Sequence, residues 1–386
     1  MPSYCFVDRE NAHSIWSLVD IIAGALLAKG DDVIYCRFCD QPMPIGRSVP
    51  YGVIVNDVPV PPKRSCVDLI KQHYVFAKAL TGLLKSKRID VLHAHFAIPS
   101  IVSRWVGYNV GLPVLLTTQH ELYGSMNPYL RIGLGFTQRY CNAAVYVSDQ
   151  VAMSFSPFAG LAQRDVVIKN GIDVHSLQAL SSPRPMLEQR LRIICAGRFV
   201  SVKGQKTLIE AWPRVLESFP EAHLCLPGDG PEKALLENRC RALCIAPTVE
   251  FPGWLPRNET LQRICGSTLM VVPSDGTQEG FGLVVAEAMA LGVPIVCSDI
   301  PVFREVAADT VGYFPVGDAA ALAQAIITTL SQLEQAHARA EWAQQRVAKH
   351  FDQRDMVAAY LHLYDDLLGN RTRHDRITRD CDYYRL

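Results

Sequence analysis

The stretch VVPSDGTQEGFGLVVAEAMALGVPIVCS, from Val271 to Ser298, decides the fold of this 386-residue chain. β-Branched residues that end at Val272 predict a buried strand, and a polar loop that contains glycine follows at residues 273–280. Apolar residues then recur at helical spacing over residues 283–291, and a second strand is expected at residues 294–297. The stretch therefore forms one strand–helix–strand unit, and such units bind ligands at the carboxyl ends of their strands.

The turn into this helix is suited to an anionic ligand. Gly280 and Gly282 flank Phe281, so the backbone can bend sharply and approach a ligand closely. The amides of Phe281 and Leu283 are then left free at the helix N-terminus. Such an end attracts a phosphate or a developing negative charge.

Two carboxylates accompany this anion-binding turn. Glu279 comes just before the helix and Glu287 lies in its second turn, so both are expected to face one cleft at different depths. Carboxylates suit neutral hydroxyls better than phosphates, so the pattern predicts a ligand with hydroxyls at both ends and anionic charge between them, as in a nucleotide sugar. The alternative is an acidic loop followed by a packed amphipathic helix with a surface glutamate.

The same residues carry a resemblance to a known family. Residues 279–283, EGFGL, and residues 287–290, EAMA, resemble the Glu-x7-Glu signature of the retaining GT-B glycosyltransferases, glycosyltransferase family 4. The resemblance implies an α/β fold with two Rossmann-like domains facing across a cleft and a C-terminal helix that crosses back to the first domain. It also implies that Glu287 holds the ribose and that Glu279 holds the hydroxyls of the donor sugar.

A second motif is expected to bind the donor diphosphate. Arg198 and Lys203 lie five residues apart in a loop that follows a predicted strand. The forked guanidinium of Arg198 and the compact ammonium group of Lys203 can therefore bind the two phosphates from either side. The stretch resembles the family's Gly-Arg…Lys-Gly motif, in which both cations bind the diphosphate and stabilise the leaving group. Two solvated surface cations are the alternative. Gly228, in a Gly-x-Gly turn, and Leu255, in the loop Gly-Trp-Leu, match family positions near the nucleotide and its base.

Histidines follow two strands of the first half. His120 comes after a predicted strand at residues 114–118, where the family places a histidine beside the donor sugar, although the next residue here is Glu121. His93 and His95 end another strand, and a structural or acceptor-side role is expected for them rather than a metal pair, because no third ligand is near in the sequence. Family members usually carry Gly-Gly after the first strand, whereas residues 8–13 read DRENAH here.

Composition restricts the possible functions. Lys and Arg together number 38, as do Asp and Glu, so no overall charge favours nucleic acid as a partner. The chain starts without the pattern of a secretory signal, and no apolar stretch is long enough to span a bilayer, which predicts a cytoplasmic location. The twelve cysteines are scattered in apolar contexts and are expected to be reduced core thiols.

Alternation of strand and helix patterns predicts the domain organisation. We expect an N-terminal Rossmann-like acceptor-side domain at residues 1–173, a linker at 174–190, and a Rossmann-like nucleotide-sugar donor domain at 191–350. Residues 351–386 are expected to form a C-terminal helix and tail that return to the first domain, with the helix over 352–368 and a polar tail after it. Proline-rich residues 41–50 and 58–62 are expected to be loops.

The function expected from residues and resemblance together is that of a retaining hexosyltransferase. It would move a sugar from a UDP- or GDP-sugar to a hydroxyl acceptor, in cell-surface polysaccharide, glycolipid or specialised-metabolite synthesis. Neither a cofactor nor a metal is required, since Arg198, Lys203 and the amides around Phe281 neutralise the leaving diphosphate. The alternatives are a GT-B-shaped sugar-nucleotide epimerase or hydrolase and a catalytically silent partner subunit.

The acceptor side is less well defined by the sequence. Predicted helices at residues 65–85 and 129–141 either rest on an anionic membrane, as a peripheral protein at the inner face, or are ordinary solvated helix faces. Their basic residues and those just beyond them are Lys71, Lys78, Lys85, Lys87, Arg88, Arg131 and Arg139. The acceptor would be a glycan, a glycolipid or a small molecule.

Overall fold

The computed structural model describes residues 1–9, 13–39, 49–60, 66–180 and 191–382. The chain divides into two compact units, of which the first comprises Met1–Asn170 with Arg354–Leu386 and the second comprises Gly171–Gln353. Each unit contains one parallel sheet with helices in the connections. The prediction of two Rossmann-like α/β domains is therefore confirmed.

The first unit is built on a seven-stranded parallel sheet of order β3-β2-β1-β4-β5-β6-β7. Its strands are β1 Ser3–Arg9, β2 Asp32–Cys39, β3 Ile54–Pro59, β4 Val91–His95, β5 Val114–Gln119, β6 Ala143–Tyr146 and β7 Arg164–Val167. Its first five helices are α1 His13–Ala28, α2 Cys66–Ser86, α3 Ala97–Asn109, α4 Pro128–Thr137 and α5 Asp149–Ser154. The central strands β4 and β5 are buried along their whole length and β1 is buried as far as Asp8, as is typical of a parallel sheet that is covered on both faces.

The second unit is built on a six-stranded parallel sheet of order β10-β9-β8-β11-β12-β13. Its strands are β8 Arg192–Ile194, β9 His223–Pro227, β10 Val249–Gly253, β11 Leu269–Val272, β12 Ile295–Ser298 and β13 Gly312–Phe314. Its helices are α6 Val174–Leu180, α7 Gln205–Ser218, α8 Lys233–Ala242, α9 Arg257–Cys265, α10 Leu283–Ala290, α11 Pro301–Ala307, α12 Ala319–Ser331 and α13 Leu333–His350. Trp212 and Phe199 are fully buried at the centre of its core.

The last helix, α14 Gln353–Asp382, belongs almost entirely to the first unit. Tyr360 and Tyr364 on this helix are buried against the sheet, where the Tyr364 hydroxyl lies 2.7 Å from His93 Nδ1. Tyr364 also packs on Tyr4, with ring centroids 5.3 Å apart. The expected return of the C-terminal helix to the first domain is thus confirmed.

Two segments differ from the sequence-based expectation. Residues 58–59, expected in a loop, end strand β3, because this edge strand needs no amide donor from Pro59 on its open side. Helix α14 continues to Asp382 instead of ending at residue 368, since no proline interrupts the polar sequence beyond Gly369.

The predicted domain boundaries stay predictions. Within the segment expected to be a linker, residues 174–180 form helix α6, while residues 181–190 lie outside the described residues. Residues 10–12, most of the predicted loop at 41–50, and residues 383–386 of the tail also lie outside them. Within the described ranges, every helix is too short or too polar to cross a membrane.

Candidate functional site

The candidate site of the second unit lies where the strand order of its sheet reverses. Strands β8 and β11 are neighbours, and the chain runs from β8 outward through β9 to β10 before it returns to β11. Ligands of open parallel sheets bind at such a switch point, outside the carboxyl ends of the strands. The loops after β8 and β11 carry two of the predicted motifs, with Arg198 and Lys203 in one and Glu279 in the other.

A cavity of about 320 Å³ lies at these strand ends. Four residues predicted from three separate motifs line it, namely Arg198, Lys203, Gly228 and Leu255. Trp254 also lines the cavity, and 74% of its surface is exposed. The structure therefore brings together cations, a glycine turn and an exposed aromatic ring in one concave site.

Lys203 and Glu279 meet directly although they are 76 residues apart in the sequence. Lys203 Nζ lies 2.5 Å from Glu279 Oε1, and the Ser274 hydroxyl donates to the same oxygen at 2.8 Å. Glu279 is largely buried, and among the described residues its Oε2 accepts no hydrogen bond. One carboxylate oxygen is thus fixed by two donors, and the other can accept a hydroxyl of a ligand.

Glycines allow the strand-end loops to touch. A Cβ on Gly204, at φ +69°, would lie 1.9 Å from the carbonyl oxygen of Pro273. A Cβ on Gly228, at φ +151°, would lie 2.0 Å from the carbonyl oxygen of Gly197. Any larger residue would push these loops apart and enlarge the site, so the close approach requires glycine at both positions.

The predicted glycine turn leads into helix α10. Gly282 adopts φ +85° immediately before Leu283, the first residue of the helix. Between Gly280 and Gly282, the Phe281 side chain is only 3% exposed and packs on Phe351, with ring centroids 5.3 Å apart. Phe281 therefore anchors the turn through its ring, which leaves only its backbone amide to serve a ligand.

Glu287 has a partner that the sequence did not reveal. The Arg257 guanidinium, at the start of α9, forms an ion pair with Glu287 Oε1. Burial raises the pKa of the Glu287 carboxyl, and the positive charge of Arg257 opposes that rise. Arg257 thereby favours the ionised form, which accepts hydrogen bonds.

His120, the remaining predicted site residue, lies in the first unit. Its Nε2 is 3.0 Å from Nδ1 of His95, and the two rings are stacked. Burial lowers the pKa of His120 to about 3, so the ring is neutral near pH 7. His93 has a structural role, because its nitrogens lie 2.7 Å from the hydroxyls of Tyr364 and Thr118.

Two family models match the chain. The model described as "Glycosyl transferases group 1" matches residues 181–346, and the model described as "Glycosyltransferase Family 4" matches residues 17–176. The chain belongs to glycosyltransferase family 4, group 1. The resemblance expected from the Glu-x7-Glu motif is thereby confirmed.

Named relatives of this glycosyltransferase act on different substrates. A phosphatidyl-myo-inositol mannosyltransferase of Mycobacterium leprae is 31% identical over 62% of this chain and 64% of its own length. An N-acetyl-alpha-D-glucosaminyl L-malate synthase of Bacillus anthracis is 26% identical over 76% of this chain and 78% of its own length. The chain spans just under two thirds of the mannosyltransferase's length.

A solved structure confirms the GT-B fold of the glycosyltransferase. HepE from Anabaena, solved in complex with UDP and glucose, superposes with a TM-score of 0.78 at 17% sequence identity. The superposition covers 95% of this chain and 100% of that chain.

Sequence reasoning missed three residues that support the site of the glycosyltransferase. Ser274 and Arg257 hold the two predicted carboxylates, and Trp254 lines the cavity. Only Trp254 had a sequence signal, through its place in Gly-Trp-Leu. Across the described part of the chain, no group of three His, Cys, Asp or Glu side chains is arranged to hold a metal ion.

Proposed function

We propose that this protein is a retaining hexosyltransferase that uses a nucleoside diphosphate sugar. The observation that carries the proposal is the Lys203–Glu279 pair at a cavity that Arg198 also lines. A diphosphate requires the cations, and a sugar hydroxyl requires the carboxylate. The name of the mannosyltransferase relative and the UDP and glucose in the HepE structure support a sugar donor of this class.

The proposed mechanism is electrostatic. Arg198, Lys203 and the amides at the start of α10 stabilise negative charge on the leaving diphosphate, so catalysis needs no cofactor and no metal. Glu279 Oε2 orients the donor sugar, and Glu287 accepts from the ribose. Gly228 and Leu255 border the nucleotide. His120, in the first unit, acts beside the donor sugar as the family resemblance implies.

Diphosphate binding exchanges partners for Lys203. Without a ligand, the ammonium group of Lys203 is neutralised by Glu279. An arriving diphosphate competes for the same ammonium group and leaves the carboxylate available to the sugar. Donor binding is expected to weaken as ionic strength rises, because salt screens the attraction between the diphosphate and the two cations Arg198 and Lys203.

Donor consumption tests the assignment. Thermal shifts with UDP, GDP and ADP identify the nucleotide, and conversion of the matching sugar nucleotide is then measured with and without candidate hydroxyl acceptors. Lys203→Met and Glu279→Gln should fold and lose transfer, whereas Lys206→Met and Glu217→Gln, on exposed positions of α7, should keep it. Full transfer activity in both site variants would refute these roles.

The same assay separates the rival functions. An epimerase or hydrolase would consume the donor without an acceptor and release an isomer or free nucleotide. A silent partner subunit would bind no sugar nucleotide. Retention is measured by the anomeric proton coupling of the product, and a β-linked product from an α-linked donor would contradict a retaining mechanism.

We also propose that the protein works in the cytoplasm at the inner face of an anionic membrane. Ten of the twelve cysteines are described as free thiols, as expected of a reducing compartment. Helix α4 exposes Tyr129, Ile132 and Phe136 at helical spacing, and the Arg139 guanidinium lies 5.0 Å from the Phe136 ring centroid. Exposed apolar residues on α4 and a basic residue just beyond its end suit the interfacial region of an anionic bilayer.

Vesicle flotation tests this membrane contact. The protein should float with vesicles that contain phosphatidylglycerol and not with pure phosphatidylcholine. Ile132→Asp should abolish flotation, whereas Leu235→Asp, at an exposed leucine of the second unit, should not. Equal flotation of both variants would refute a contact through α4.

A further inference from the structure

Arg257 occupies an unfavourable position for a cation. It is the first residue of helix α9, and the N-terminus of a helix carries partial positive charge, which disfavours a basic side chain there. Glu259, the acidic residue of the same turn, lies toward Arg263 instead, with 3.7 Å between Glu259 Oε1 and Arg263 Nη2. The guanidinium of Arg257 is therefore compensated from outside its own helix.

The compensating group is the carboxylate of Glu287 on helix α10. Arg257 Nη1 donates to Glu287 Oε1, although the two residues are 30 positions apart in the sequence. The side chain of Glu287 is 14% exposed, and its neighbours Ala286 and Ala288 are fully buried. An ionised carboxylate in such apolar surroundings is costly unless a charged or hydrogen-bonding group pairs with it. Arg257 is that group.

The ion pair lies beside the cavity of the candidate site. Thr260 of α9 and Val284 of α10 both line this cavity. Arg257 comes three residues before Thr260, so both lie on one face of α9. Glu287 comes three residues after Val284, so both lie on one face of α10. The pair is thus one helical turn from the cavity on each of the two helices.

The ion pair uses only one oxygen of Glu287. Within the described part of the chain, Glu287 Oε2 accepts no hydrogen bond. Burial raises the pKa of this carboxyl, and Arg257, which opposes the rise, is the charged group that acts on it. An ionised carboxylate is acceptor-only, so Oε2 is suited to the hydroxyls of a ligand.

We propose that Arg257 is the positioning residue through which Glu287 distinguishes a ribose from a deoxyribose. The proposal rests on the proposed function, because that function assigns Glu287 to the ribose of the donor nucleotide. Arg257 holds Oε1 and thereby fixes the direction of Oε2, which accepts from a ribose hydroxyl. The guanidinium acts through Glu287 and makes no contact with the nucleotide itself.

Calorimetry on the full chain tests this assignment with matched nucleotides. Whichever of UDP, GDP and ADP binds is compared with its 2′-deoxy and 3′-deoxy forms. The protein should bind the ribonucleotide about tenfold or more tightly than at least one deoxy form, because a hydrogen bond to a charged group is lost. Arg257→Gln should reduce this affinity ratio to about threefold or less.

The affinity ratio distinguishes positioning from the other ways in which Arg257 could act. A guanidinium that contacts the nucleotide directly, or that only stabilises the fold, would affect the ribonucleotide and the deoxy forms alike. An equal loss of affinity for all three ligands in Arg257→Gln would therefore overturn the proposal. Arg257→Met, which preserves the apolar stem of the side chain, is the second neutral variant and should give the same low ratio.

Two further variants serve as controls. Arg257→Lys keeps a positive charge and should retain most of the ribose preference. Arg263→Gln removes a guanidinium from the same helix, where it pairs with Glu250 at 2.9 Å, and should leave the ratio unchanged. A low ratio in Arg263→Gln would refute a specific role of Arg257.

A double-mutant cycle shows whether the two residues act as one. Glu287→Gln should lose the ribose preference by itself. Adding Arg257→Gln to it should then change the ratio by less than about twofold, because both substitutions remove the same interaction. A clear additional loss in the double variant would contradict action through Glu287.

The outcome for the unsubstituted protein separates this proposal from the proposed function. If the protein binds no nucleoside diphosphate, the transferase proposal falls and the role of Arg257 falls with it. If a nucleotide binds without any ribose preference, or with a preference that Arg257→Gln leaves intact, the role of Arg257 falls alone.

Discussion

Replacing Gly282 by alanine tests whether the turn into α10 is as tight as the structure shows. Gly282 has φ +85°, and a Cβ there would lie 2.8 Å from the ring of Phe303, which is fully buried. The left-handed conformation costs an alanine about 1–2 kcal/mol. Overpacking against a buried ring costs about 1–3 kcal/mol more. We therefore expect Gly282→Ala to lower the free energy of unfolding by about 2–5 kcal/mol.

Two other glycines of the second unit separate these contributions. Gly317 has φ +76° and open space around its Cβ position, so Gly317→Ala should cost only the conformational part, about 1–2 kcal/mol. Gly266 has an ordinary negative φ of −81° and its nearest neighbour at 3.5 Å, so Gly266→Ala should be neutral or slightly stabilising.

The assay is thermal unfolding of the three variants. For a unit of this size, each kcal/mol of lost stability lowers the unfolding temperature by about 2–4 °C. Binding of the matching nucleoside diphosphate is measured alongside it, and Gly282→Ala should weaken binding because the helix amides move. The reasoning is refuted if Gly282→Ala and Gly317→Ala shift the unfolding temperature equally, since the ring contact would then cost nothing.

Three further predictions concern both units. Asp8→Asn should raise the unfolding temperature more at pH 8 than at pH 5. Burial raises the pKa of Asp8 in the folded state, so the stability that is present below the unfolded-state pKa is lost as the pH rises through the folded-state pKa. Asparagine does not ionise and avoids this loss. Tyr364→Phe should destabilise the fold by about 1–3 kcal/mol, measured by denaturant unfolding, because buried His93 Nδ1 loses its partner. Trp254→Ala should leave the unfolding temperature unchanged and weaken calorimetric nucleotide binding by about 1–3 kcal/mol if the ring stacks on the base.

The fold was largely predictable because its strands are buried on both faces. The stretch from β11 to β12 shows a continuous apolar run, a glycine loop and a helical period in succession, and this order of patterns indicates a strand, a turn and a helix. Strand β3 escaped prediction because an edge strand is half exposed and tolerates Pro59. The C-terminal end of α14 was not predicted, because a charged sequence has no periodic pattern of apolar residues whether it forms a helix or a coil.

The residues of the candidate site were predictable from sequence motifs, but the contacts between their side chains were not. Arg198 and Glu279 were expected from the loops that follow strands, since parallel sheets gather such loops at one edge. The pairing of Lys203 with Glu279, and of Arg257 with Glu287, depends on side-chain positions set by packing across distant segments. The same holds for the His95–His120 contact, which requires the register of β4 and β5.

Helix α14 makes the first unit depend on a segment that follows the second unit in the sequence. Its tyrosines cover Tyr4 and His93, yet the ribosome adds them only after it has synthesised the entire second unit. During synthesis the contiguous second unit can fold first. The sheet of the first unit has one face uncovered until α14 has been made. A truncated chain that ends at Gln353 should accordingly show a protease-resistant second unit and a protease-susceptible first unit.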